Sequence, residues 1–280
     1  IAAFHPGAQE TFQTPPQLVS FVRRTPDPTL QLVRTSVLRK VTGEGSRVSD
    51  EVTQRNFDLV KERGVESLDA VLRESPALLE AHLARHVSIA GRPLAALNTA
   101  LFQDGAFVAL KPGAGIEGAV QLVFVSATDG VAAYPRVLVL AGENSQLRVV
   151  EIFASEGHAE ARFTNAISEI VAGEGAVIDH YRVQREGEAD FHVGLTHLQV
   201  GRSAGASSHV VSLGGRIARH DAVAVLTGPG ADCTLNGLYL GHGSQLIDNH
   251  TEIDHATPNG TSHELYKGIL DGRARGIFNG

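Results

Sequence analysis

The 280-residue chain has no methionine, one cysteine (Cys233) and few aromatics, 5% of its residues. A single cysteine excludes a disulfide framework and a paired-cysteine metal knuckle, and a reducing compartment is its simplest setting. No apolar run approaches the roughly 18–20 residues of a membrane span, and no basic leader with a small-residue cleavage site is read at the front. The lack of methionine, with Ile1 in first place, leads us to expect a chain without its natural start or one that has lost methionine positions. In the second case strand faces would exchange at each gap. Charge is also sparse: Lys plus Arg at 24 against Asp plus Glu at 31 gives −7. That lacks the basic stripe of a nucleic-acid binder. What is abundant is glycine, 30 residues, within a 42% hydrophobic composition, which marks a globular, turn-rich chain with a Val, Leu, Ile and Ala core.

The first hundred residues and the rest differ in period. Prolines at Pro6, Pro15, Pro16, Pro26 and Pro28 break any long helix in residues 1–50. Helical spacing then starts near Ser49 or Asp50, with Val52, Phe57, Leu59 and Val60 as its apolar face and a stop near Gly64. A second helix is predicted over 66–73. A third is predicted from Ser75-Pro76, with Leu78, Leu79 and Leu83. Beyond Asn98 the period becomes two. Strand-type runs follow at 107–110, 120–126, 136–140, 146–154, 163–171, 177–184, 191–200, 207–213, 222–226, 233–240 and 245–254. The division predicted is a partly irregular, helical region over 1–95 and a β core over 96–280.

The segments between the runs are too short for crossover helices, which excludes a doubly wound α/β sheet. Corners repeat: Gly173-Glu174-Gly175-Ala176, Gly228-Pro229-Gly230-Ala231 and Gly241-His242-Gly243-Ser244, with looser versions at Gly113–Ile116 and Gly201–Ala206. Repeated glycine corners between short strands suit a β-solenoid, each coil turning above the last. A β-sandwich with glycine-rich hairpins is the alternative.

Ten of the 13 histidines fall between His158 and His263, and the segment Asp248-Asn249-His250-Thr251-Glu252-Ile253-Asp254-His255 is the densest. Histidine beside carboxylate suggests a metal site, so His250, Asp254, His255 and His263 are its candidates. Strand alternation opposes it. Asp248, His250, Glu252 and Asp254 share one face as a solvated set. Ile247, Asn249, Thr251, Ile253 and His255 share the other as a core face with polar rungs, so His250 and His255 point apart. Cys233 follows a glycine corner and reads as a buried thiol. Gly201-Arg202-Ser203-Ala204-Gly205 fits a serine-nucleophile pentad by letters, but a strand follows it rather than the required helix. No phosphate-cradling loop precedes a Lys-Ser or Lys-Thr pair. No residue is assigned a catalytic role.

Four strings stand out at the end of the chain: Asp232–Leu240, Asp248–Ala256, Thr261–Gly272 and Arg275–Gly280. They closely resemble the SufB/SufD family of the SUF iron–sulfur cluster assembly system, its SufD side in particular. Ala96–Phe102 with Asp104–Phe107 is similar to the family's entry into its β-domain, and Ser75–His82 to the helix before it. The resemblance implies a mainly β protein, a right-handed flattened parallel β-helix preceded by a small helical region. It implies a non-catalytic scaffold in a SufB–SufC–SufD complex, pairing with a SufB-like β-helix and a SufC-like ATPase, with a homodimer possible in isolation. That complex handles a nascent Fe–S cluster, with ATP on SufC and reduced flavin in some cases, and it works in a cytoplasm or a plastid stroma.

Two departures from the family pattern follow. The family continues past the Gly276-Ile277-Phe278-Asn279-Gly280 motif into further coils, a cluster-site histidine and SufC-binding helices, so the last coil here is expected to need a cover. The family's Pro-His-Cys-Thr-Ser is Pro258-Asn259-Gly260-Thr261-Ser262, without thiol or imidazole. The competing readings are a β-solenoid enzyme of acyltransferase or polysaccharide lyase type, and a metal-binding β-sandwich. No strict six-residue aliphatic repeat supports an acyltransferase. Only the outward Asp248, Glu252 and Asp254 hint at a lyase.

Overall fold

Period-two alternation becomes backbone ladders in the computed structural model. It describes residues 76–102, 104–156 and 161–280, plus the short strands β1 (Ala2–Ala3), β2 (Ser20–Phe21) and β3 (Leu30–Leu32). Helices α1 (Pro76–His82) and α2 (Pro93–Leu101) precede the main array. The first strands of that array are β4 (Asp104–Leu110), β5 (Val120–Ser126), β6 (Ala132–Ala133), β7 (Pro135–Ala141) and β8 (Gln146–Ser155). Next come β9 (Phe163–Ala172), β10 (Val177–Arg185), β11 (Phe191–Val200), β12 (Gly205–Ser212) and β13 (Ile217–Leu226). The last are β14 (Asp232–Gly241), β15 (Leu246–Asp254), β16 (Thr261–Leu270) and β17 (Arg275–Asn279).

Consecutive strands alternate between two sheets. One runs β1-β4-β7-β9-β11-β13-β15-β17, with β6 also on β9, and the other β16-β14-β12-β10-β8-β5-β3-β2. Among β4 to β17 every pairing is parallel, to a strand one coil away, while β1 joins β4 antiparallel. Val177 lies beside Gly205 and Gly205 beside Asp232, so successive coils take 28 and 27 residues (205 − 177, 232 − 205). The chain is a β-solenoid of about six turns with few helices, which rules out the sandwich. No helix of the described residues is long and apolar enough to cross a membrane.

Each predicted run from 107 to 254 overlaps a strand. The array also continues through β16 and β17, and β13 starts at Ile217, where Arg219, His220 and Asp221 hide the alternation. Helix α2 crosses the predicted boundary at residue 96 and carries helix through Asn98 to Leu101. Pro93 in its first turn and an Ala- and Leu-rich run favour this. The helix predicted from Ser75 is α1, and those predicted over 49–73 lie outside the described residues.

The predicted corners separate into two columns. Gly113, Asn144, Gly175, Ser203, Gly230 and Asn259 all have left-handed backbone, with φ of 72, 54, 65, 51, 72 and 64°. Each of the first five donates its N–H to a carbonyl in the corner of the next coil, from Gly113 to Glu143 O at 2.7 Å up to Gly230 to Asn259 O at 3.1 Å. The Gly241–Ser244 corner belongs to the opposite column, where Gly243 and Gly272 repeat the left-handed turn.

The interior is divided lengthwise. Near the first column the rows are aliphatic: Val108, Val139, Ile170, Leu198 and Ala224 on one sheet, Leu147, Ile178, Ala206 and Cys233 on the other. Farther along the strands, in the rows of Arg182 and Gln184, the last coils carry two tyrosines. A side chain on Gly237 would strike the Tyr266 ring 2.1 Å away, and one on Gly268 would meet the Tyr239 ring at 2.2 Å. The ladder sets Gly237 beside Tyr266 and Tyr239 beside Gly268, so each ring lies over its neighbour's glycine. These four residues belong to the strings that carry the family resemblance.

The corner column yields a test at Ser203, whose side chain makes no hydrogen bond there. Ser203→Val should cost about 1–2 kcal/mol, the penalty of left-handed backbone on a branched residue, whereas Ser203→Gly should be neutral or stabilising by up to about 1 kcal/mol. Urea denaturation midpoints check this, and equal losses in both variants would contradict the corner geometry.

Candidate functional site

The structure does not bring the predicted metal candidates together. His250 lies on β15, with Nε2 2.8 Å from Asp248 Oδ1 and Nδ1 3.3 Å from Asn279 Nδ2. His255 follows that strand and contacts Ser262 Oγ at 2.9 Å through Nε2. Asp254 is exposed at the end of β15, and His263 is exposed on β16, in the other sheet. Among the described residues, no group of three or more His, Cys, Asp or Glu side chains is arranged to hold a metal ion. Cys233 is fully buried, and burial first, then Asp232 and Glu264, pushes its thiol up to about 12. It is therefore a neutral packing group rather than a thiolate. Ser203 sits in a strand–corner–strand turn, as its following sequence predicted.

The concentrated chemistry lies inside the solenoid, on residues that sequence reasoning passed over. Strand β10 points Ile178, His180, Arg182 and Gln184 inward and Val177, Asp179, Tyr181 and Val183 outward. The valines on the outward face disguise the direction. Arg182, 1% exposed, donates from Nη1 to Glu151 Oε2 at 3.0 Å and from Nη2 to His192 Nε2 at 2.9 Å. Its guanidinium also lies over the Phe153 ring, 4.3 Å from the centroid. A guanidinium only donates, so His192 Nε2 must accept and the ring proton sits on Nδ1. That nitrogen faces Glu186 Oε2 at 2.6 Å.

The carboxylates are held further. Glu151 accepts from Ser168 Oγ at 2.9 Å and lies 3.4 Å from His180 Nε2. Glu186 accepts from Thr164 Oγ1 at 2.5 Å and Gln184 Nε2 at 3.1 Å. Burial alone would push the Glu151 carboxyl up, but His180, Arg182 and Ser168 outweigh it and hold the group below its ordinary value. Glu186 is likewise lowered against burial, by His192, Thr164 and Gln184. Room for the arginine comes from Gly194 across the interior, where any side chain would meet Arg182 Nη2 at 2.5 Å.

His180 also contacts Ser208 Oγ through Nδ1 at 2.9 Å, so Ser208, His180 and Glu151 have the composition of a nucleophilic triad. All three are at most 1% exposed, which leaves no approach for a substrate. The cluster joins β8, β9, β10, β11 and β12 across both sheets.

A second polar cluster pins the helical segment to the outside of β9. Glu169 accepts backbone N–H bonds from Ala84, His86 and Val87 at 2.9, 2.9 and 3.2 Å, and from Arg136 Nε at 3.0 Å. Arg136 Nη1 continues to Asn98 Oδ1 and Thr99 Oγ1 on α2, at 3.1 and 2.9 Å. Beside it His82 Nδ1 and His86 Nε2 are 2.9 Å apart, and Gln199 Oε1 is 2.8 Å from His86 Nδ1. Burial, with the neighbouring His86 and Arg92, lowers His197 to about 4 against the opposing pull of Glu169.

Fold and site together define a parallel β-solenoid protein whose concentrated polar chemistry is internal and tied to cohesion. Residues 124–280 match the family described as SUF system FeS cluster assembly, SufBD core domain, and residues 45–122 match the SufBD protein N-terminal region. The chain belongs to the SufBD family of iron–sulfur cluster assembly proteins. The two matched regions meet inside β5. A SufBD family iron–sulfur cluster assembly protein of Synechocystis is 28% identical over 66% of this chain and 43% of its own length. The iron–sulfur cluster assembly protein SufD of Escherichia coli is 29% identical, over 66% and 44%. Protein ABCI7, chloroplastic, of Arabidopsis thaliana is 28% identical, over 52% and 31%. The chain thus spans about half, or less, of the length of these relatives.

Two predictions follow from the buried charges. Arg182→Met should cost about 3–5 kcal/mol, because it takes the buried guanidinium away from Glu151 and from His192 Nε2; an unchanged denaturation midpoint would show that Arg182 and Glu151 are not buried together. Stability should also fall with acid in two stages. His197 and His220 bind protons more weakly folded than unfolded, so their contribution is present above the unfolded histidine value of 6.5 and declines below it. Glu151 and Glu186 add a second loss below the ordinary carboxylate value of 4.5. Urea titrations across pH should show a shallower slope between 6.5 and 4 in His197→Gln, and an unaltered slope would remove His197 from the account.

Proposed function

We propose that this chain is a non-catalytic scaffold of a SUF complex, a SufD-type subunit that pairs with a SufB-like β-helix and works with a SufC-like ATPase. The observation that carries the reading is the SufBD core match over 124–280, coinciding with a solenoid whose Ser208–His180–Glu151 set is closed to substrate. A ladder of parallel strands gives a rigid rod with extended faces and edges, suited to holding partners in register. The cluster built by the complex is cargo, and this chain on its own holds no resident cofactor; ATP belongs to the SufC-like subunit and reduced flavin to the assembled complex. The cytoplasm, or a plastid stroma, is the setting proposed, the latter in keeping with the chloroplastic name of the Arabidopsis relative.

Co-expression of the tagged chain with the SufB-like and SufC-like subunits of its own source tests this reading. Retention of the SufB-like subunit through size-exclusion chromatography is the expected result, and its loss at low salt would overturn the proposed pairing. Iron in the anaerobically purified chain should be well below stoichiometric. Stoichiometric iron that disappears in a His250→Ala, His263→Ala variant would make those histidines ligands instead.

A further inference from the structure

Two buried polar atoms on neighbouring coils have no partner: His220 Nδ1 and Asn249 Nδ2. Their residues are 4% and 2% exposed. Both project inward, and the β13–β15 ladder sets His220 directly beside Asn249. The other histidine nitrogen is occupied, Nε2 lying 3.1 Å from Thr196 Oγ1. Burial, with Arg182, His192 and His180 around it, holds the His220 imidazole well below its ordinary value. The ring is therefore neutral, with one donor and one acceptor nitrogen.

The inward row on this sheet reads Gly194, His220, Asn249, Phe278. The row that faces it starts at Arg182, which reaches over Gly194, and continues through Val210 to Gly237. Beyond Val210 that row is closed by the Tyr266 ring, which lies over Gly237. A buried amide or imidazole nitrogen left without a partner costs about 1–3 kcal/mol. Paired orphans inside natural proteins are joined by water, which makes two to four hydrogen bonds in such places.

We propose that an ordered internal water bridges His220 and Asn249. It accepts from Asn249 Nδ2 and donates to His220 Nδ1, while His220 Nε2 donates to Thr196 Oγ1. One molecule then satisfies both orphaned atoms in a single tautomer. The polar interior extends by this water one coil beyond the Arg182 cluster. The site does not depend on the scaffold reading.

A high-resolution crystal structure of the full chain, with oxygen-17 relaxation dispersion to count long-lived waters in solution, tests the site. Expected are one density peak within hydrogen-bonding distance of both nitrogens and the loss of one long-lived water in Asn249→Leu. A direct bond between the two side chains, or an empty gap, would overturn it. So would an unchanged water count with a raised Tm in Asn249→Leu, the signature of removing a dry orphaned amide. If that variant does not fold, the wild-type density and water count decide alone.

Discussion

In a parallel ladder with a one-coil repeat, every side chain lies against its counterpart from the coil before, on the same face and at the same depth. That constraint governs the rest of this molecule. A favourable residue is favourable repeatedly, as in the aliphatic row from Val108 to Ala224. An awkward one must be answered by its row neighbours or from the facing sheet. The corner column obeys the same rule: one left-handed residue per coil, each tied to the next by a backbone hydrogen bond.

The charged interior is such an answer. Glu151 and Arg182 are ladder neighbours, and a lone charge at either place would carry the full desolvation cost of burial. The arginine must still cross to the other sheet to reach His192, and only the missing side chain of Gly194 admits it. The result is cohesion between the sheets where the section is too polar for apolar packing. Glu169 does the equivalent on the outer surface, collecting three backbone donors and Arg136, so that the chain around α1 and α2 is held by directed bonds as well as by the apolar contacts of Leu79, Val87 and Ala95.

Much of the array was legible because its signals are local. Glycine corners and period-two runs placed the strands from 107 to 254. Alternation also placed Ile247 and Asn249 inside and His250 on the other face, as the structure has them. Strands β16 and β17 escaped the pattern, since Thr261–Leu270 carries charge on both faces, Glu264 beside Tyr266 and Gly268 on one and Lys267 between Leu265 and Ile269 on the other; only the family resemblance pointed to them. The interior cluster was not legible. On β10 the valines face outward and His180, Arg182 and Gln184 face inward, the reverse of the usual inference from hydrophobicity. The one available hint was that these polar residues alternate strictly with a second, mostly apolar set.

The amino-acid sequence by itself determined a solenoid of short strands and glycine corners and, through its last fifty residues, kinship with one assembly family. These are properties of spacing and local backbone preference. Which polar residues would be sealed inside, and which carboxylate would meet which cation, were decided only by tertiary structure. Those outcomes depend on the register between coils, which brings together residues some thirty positions apart and leaves no trace in the order of neighbouring letters.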